Sequence, residues 1–268
     1  RQCGNQLRSD LRYLQPRYRK EGAIMNETQK LIKSTIENSA KQQYGIDIVV
    51  EYVADVSERT QELQQECGEK FNSVYTAEHC TGTFIPTVNN NPYYILIQED
   101  RESMLDVMTA FHEYRHLIDF VLFFKTVANN NIDILKKSPL YTTFNVYSEY
   151  AATMYGTKEY IDIVKLGDMS QKELAEAIFQ QVKTTYWNLE GIDNRYQLLV
   201  HSVQYLGEIF ACGQFTNKID IQASIREMEL SSEMCPIFNH IFMYEDKYQW
   251  YEKLNRIMRD FVDGGIKN

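Results

Sequence analysis

The sequence predicts an α+β fold: a small antiparallel or mixed sheet packed on one long helix, followed by a half that is almost wholly helical. Three observations carry this. Residues 46–53 (IDIVVEYV) and 93–98 (YYILIQ) are rich in β-branched and aromatic residues, and the first alternates. Residues 102–125 contain no Gly or Pro and repeat apolar positions every three or four residues. Residues 157–268 fall into helical segments separated by short turn signals.

Taken in order, residues 46–53 read as a first strand. Residues 83–86 and 93–98 read as a hairpin around Val88-Asn89-Asn90-Asn91-Pro92, where Asn and Pro supply turn conformations. The long helix follows. Asp100 or Ser103 can cap it, and Glu102 and Asp106 sit in its first turn, where the helix dipole favours acids. Leu105, Met108, Phe111, the stem of Arg115 and Ile118 form one stripe; Met104, Val107 and Phe111 form another. The helix is therefore expected to be largely buried.

That helix contains Phe111-His112-Glu113-Tyr114-Arg115-His116, an HExxH pattern. Histidines four apart lie one above the other on a helix face, so both imidazoles can reach one Zn²⁺ at about 2.0–2.1 Å. Glu113 then sits beside the metal, where it can take a proton from water. Burial strengthens the reading, because two histidines and a carboxylate are costly to bury without a strong partner such as a dication.

A catalytic zinc site has three protein ligands and an open position. Glu149 is the best third ligand, 33 residues after His116. Asn129-Asn130-Asn131 and Ser138-Pro139 allow the chain to reverse and enter a second helix near residues 142–145, and Ala151 and Ala152 would let it pack closely. Glu159 and Asp119 are rivals. Asp119, one turn past His116, is better placed to support a ligand than to be one. Tyr147, Tyr150 and His201 are candidates for holding a developing oxyanion, though each can equally be a packed side chain.

HExxH followed by a Glu on a later helix resembles the gluzincin metallopeptidases. The order strand, hairpin, HExxH helix, Glu149-Tyr150-Ala151-Ala152 helix is similar to the ImmA/IrrE-like domains, over roughly residues 25–160. The resemblance implies a zincin-like fold in residues 1–160, with 161–268 as a helical C-terminal subdomain. It implies a zinc metallopeptidase acting on a peptide or protein, with Glu113 as base and His112, His116 and Glu149 as ligands. Tyr114-Arg115 is bulkier than that family's usual HExxH interior, and Thr153 stands where other gluzincins carry a supporting Asp. The strand 93–98, if it is the sheet edge beside the motif helix, would hold an extended peptide by main-chain pairing. The alternative is a metal-binding sensing or interaction module of a mobile-element or stress-response regulator with little peptidase activity. Glu113 counts against it, since a pure binder needs no base.

In the C-terminal half, helices are expected at 171–188, 195–212, 221–229 and 247–262, with breaks at Gly167-Asp168, residues 190–193, Gly213 and Cys235-Pro236. Residues 169–177 have the look of the first helix of a helix-turn-helix. The turn glycine is absent, so the segment reads as an amphipathic helix with a Ser170 cap and Glu173 in a capping box. A net charge of −9 and a pI near 5.2 argue against a nucleic-acid-binding surface. The longest apolar stretch is interrupted by Asp119, so no membrane span is expected. Five scattered cysteines without a CxxC pair suggest reduced thiols and a cytoplasmic home, while Arg1 in place of Met leaves secretion open.

Overall fold

A computed structural model describes residues 25–66, 81–87, 92–99, 105–164, 167–187, 192, 194–228 and 231–263. Among them the chain is mostly helical, with one three-stranded mixed sheet. The elements are α1 (Glu27–Tyr44), β1 (Ile48–Val53), α2 (Val56–Glu66), β2 (Gly82–Ile85), β3 (Tyr93–Gln98), α3 (Leu105–Ala128), α4 (Ile132–Lys137), α5 (Tyr141–Ile163), α6 (Gln171–Trp187), α7 (Arg195–Gly213), α8 (Ile221–Arg226), α9 (Ser231–Phe242) and α10 (Tyr248–Val262).

Helix α1 was not anticipated, although its start is written in the sequence. Asn26 accepts from the Gln29 amide and the Gln29 side chain accepts from the Asn26 amide, a capping box. Ile32, Ile36 and Ala40, four apart, form its buried stripe. Gln29 also donates to Asp106 at 2.8 Å, which ties α1 to the start of α3. The caps proposed for α3, Asp100 and Ser103, lie outside the described residues, as does the hairpin turn at 88–91.

The sheet order is β1-β3-β2. β2 and β3 pair antiparallel, as the hairpin reading requires, and β1 pairs parallel with β3 from Ile48↔Tyr93 to Val53↔Gln98. This corrects one expectation: β3 is the central strand, and β2 is the end strand on the side of α3. Alternation in β3 sorts its side chains between two faces. Ile95 and Ile97 join Ile32, Ile36, Val50 and the α3 residues in the main core; Leu96 packs with Val56, Leu63 and Ile85 under α2.

The main core runs without interruption from Ile32 to Phe261, so the helical C-terminal half shares it with the sheet and α3. Much of the aromatic content sits here. Phe120 meets Phe84 and Tyr93, joining α3 to the sheet, and Phe123 stacks on Phe144 at 4.4 Å, joining α3 to α5. Such pairs add about 0.5–1.5 kcal/mol each beyond their buried area.

Helices α3 and α5 run antiparallel, since Gly156 meets Met108 and His112 while Ser148 meets His116. Ala151 and Ala152 are buried as expected, but the residue that sets the approach is Gly156. A Cβ there would lie 2.6 Å from the Met108 carbonyl oxygen and 3.1 Å from His112 Cβ. Gly156→Ala should therefore destabilise. Overpacking costs about 1–3 kcal/mol, and the gain of about 1 kcal/mol in helix propensity offsets only part of it. A melting temperature lower by a few degrees is expected; one equal to or above that of the parent would contradict this packing.

The expected C-terminal helices form, with α8 ending early at Arg226, and the structure adds α9, which the sequence reading does not include. Ser170 and Glu173 form the expected capping box, and α6 continues through Phe179–Val182 with no helix-turn-helix break. Gly167 takes the left-handed conformation at φ 56°, and Asn129 and Asn130 do so before α4. The expected break at Cys235-Pro236 is absent: α9 runs through Pro236. The buried stripe Met234, Ile237, Phe238 and Ile241 holds the helix to the core, and Pro236 removes only one backbone donor near its start. No helix among the described residues is long and apolar enough to cross a membrane.

Candidate metal centre

The chemistry-bearing residues come from two antiparallel helices and one strand. The α3 spacing puts His112 and His116 on one face, with their Nε2 atoms 3.0 Å apart and their rings nearly perpendicular. Glu149 enters from α5, with Oε2 at 3.8 Å from His112 Nε2 and Oε1 at 3.7 Å from His116 Nε2. Ligands at about 2.0–2.1 Å on a tetrahedral ion stand roughly 3.3 Å from one another. The separations of 3.0, 3.7 and 3.8 Å bracket that value. A second carboxylate, Glu113, is also near: one ligand atom from each of His112, Glu113 and His116 lies within 4.8 Å of the others, so this group could hold a metal ion.

Both histidines are held neutral. Burial pulls His112 down to about 4, helped by His116 and opposed by Glu149; burial pulls His116 down to about 4 as well, helped by Arg115. Neutral imidazole is the form that ligates. The His116 tautomer follows from its neighbours. Ser148 Oγ donates its single proton to Asp119 Oδ2 at 3.3 Å, so at 2.7 Å it accepts from His116 Nδ1–H. His116 Nε2 then carries a lone pair directed at His112 and Glu149. The 3.0 Å contact between the two Nε2 atoms is satisfied by a His112 N–H or by a cation. The donor set therefore fits a divalent ion of the zinc type.

Asp119 is fully buried and 2.8 Å from Arg115 Nη2. It serves His116 through Ser148, which agrees with a supporting role. Ser148 was missed, although it directly precedes Glu149. Glu159 lies ten residues beyond Glu149 on α5, about 15 Å along the helix, and pairs with Lys158.

Glu113 is buried, and its position is fixed by β2. Burial and the charge of Glu149 push its carboxyl up to about 8, opposed by a hydrogen bond from the Phe84 backbone N–H. Gly82 makes that approach feasible: a Cβ there would lie 2.4 Å from Thr109 Cγ2 and 3.1 Å from Glu113 Cγ. Neither Gly82 nor the Phe84 amide was foreseen, because backbone donors and close approaches leave no mark on residue type.

Of the oxyanion candidates, Tyr147 stacks on Tyr244 at 4.2 Å with its hydroxyl 3.5 Å from Arg115 Nη2, and the Tyr150 hydroxyl faces Met154 Sδ. Both are packed side chains. His201 is exposed on α7 and within electrostatic reach of Glu149. Cys3, Cys67, Cys80 and His79 lie outside the described residues; Cys212 and Cys235 are free thiols.

Comparison with protein-family models, with curated proteins and with solved structures finds no match to this chain.

Proposed function

We propose that the chain is a zinc-dependent metallopeptidase of the gluzincin type, zincin-like in packing and similar to the ImmA/IrrE-like domains, that hydrolyses a peptide bond in a peptide or protein. The observation that supports this best is the convergence of Glu149 on the two Nε2 atoms of His112 and His116, with Glu113 held separately against β2. His112, His116 and Glu149 would hold the ion, and Glu113 would be the base. Bound there, zinc would polarise the scissile carbonyl and acidify the attacking water.

A cation held beside it would favour the carboxylate form of Glu113; as base, Glu113 takes the proton from that water as its oxygen bonds to the carbonyl carbon, and passes the proton to the amine as the C–N bond breaks. The Phe84 amide holds one side of the carboxylate in place for both transfers. Asp119 and Ser148 keep His116 in the tautomer that presents Nε2. As the end strand on the α3 side, β2 is the strand to which an extended substrate would add by main-chain pairing.

The test is cleavage of a broad peptide library by the purified chain. Turnover should vanish with chelator and return with added zinc. A metal-loaded chain that cleaves nothing would overturn the peptidase reading in favour of a metal-binding interaction module.

A further inference from the structure

We propose that Gln204, on the C-terminal helix α7, is a positioning residue of the metal centre, holding the Glu149 carboxylate in its ligating orientation. The inference rests on the metal-site reading above and deepens it. Glu149 has several rotatable bonds, and among the described residues its carboxylate has no hydrogen-bond partner on its own helix; the residue four further on is Thr153. The support comes from another helix. Gln204 Nε2 donates to Glu149 Oε2 at 2.7 Å.

The amide orientation follows from its acceptor: a carboxylate takes only an N–H, so the NH₂ end of Gln204 faces Glu149. The α7 backbone is also locked to α5 beside Glu149. A Cβ on Gly207 would lie 2.6 Å from the Tyr150 carbonyl oxygen and 2.9 Å from the Met154 nitrogen, so the helices touch backbone to backbone. The platform that carries Gln204 is therefore in fixed register with the platform that carries Glu149.

Gln204 then does for Glu149 what Ser148 does for His116: one orients a carboxylate, the other an imidazole, and Gln204 comes from the C-terminal half. That half is thereby part of the metal centre and not only a neighbour to it.

The test uses the full chain stripped of metal and titrated with Co²⁺ and Zn²⁺. Gln204→Met keeps the size and removes the amide; Gln204→Ala is the second variant, and Gln197→Met, at an exposed position on the same helix, is the control. Both Gln204 variants should bind about 10–100-fold more weakly, as expected for loss of a group that orients a ligand. At saturation their Co²⁺ visible spectra should differ from that of the parent, while the melting temperature of metal-free Gln204→Met should match it. Unchanged affinity and spectrum in both variants, with the parent binding metal, would overturn the role of Gln204 and leave the site standing. Weaker binding with an unchanged spectrum and a lowered metal-free melting temperature would make Gln204 a packing residue and overturn it too. A parent chain that binds neither ion would overturn the metal reading itself.

Discussion

Glu113→Gln should leave metal content unchanged and lower peptide turnover by about 10²–10⁴-fold or more, the usual contribution of a positioned general base. Glutamine keeps the shape and can still accept from the Phe84 amide, so β2 and α3 should stay in place. It cannot take up the proton of the attacking water. The check is paired: metal per molecule, and initial cleavage rate at saturating peptide. Loss of metal in Glu113→Gln would mean that Glu113 is a ligand, and the assignment of Glu149 would fail with it.

His116→Ala should abolish stoichiometric metal binding, and activity with it. The change removes Nε2 from a group of three donors and leaves Ser148 and Asp119 without the ring they serve. The two remaining donors, His112 and Glu149, are too few for a tight site. Metal analysis after gel filtration should fall from about one ion per chain to near none. Full retention would exclude His116 as a ligand.

Much of this site was legible in the sequence because its chemistry depends on residue type and helical spacing. The His112–His116 interval places both rings on one face whatever surrounds them. The turn residues at 129–131 and 138–139 make a returning helix the natural place for another ligand, and α5 does return Glu149 to the histidines. What was illegible depends on backbone approach and distant contacts. Gly156, Gly82 and Gly207 matter because of what a Cβ would strike, which no local pattern reveals. The Phe84 amide is a main-chain donor and is invisible in residue type. Whether β3 is an edge or a central strand is not legible locally, because its parallel partner β1 pairs with residues 45 positions downstream, across a crossover that hairpin logic does not supply. Pro236 signals a stop because proline disfavours helix interiors, yet the buried stripe of α9 outweighs one lost bond. The start of α1, by contrast, was legible and unread: Asn26, Gln29 and the Ile32–Ile36–Ala40 spacing are all local signals.

Anomalous diffraction at the zinc edge, from crystals grown with zinc, tests the central claim most directly, because two carboxylates compete for the same histidines. A single peak is expected about 2.0–2.2 Å from His112 Nε2, His116 Nε2 and one oxygen of Glu149, with Glu113 outside bonding distance. A peak ligated by Glu113 while Glu149 stands away, or no peak at the histidine pair, would contradict the account.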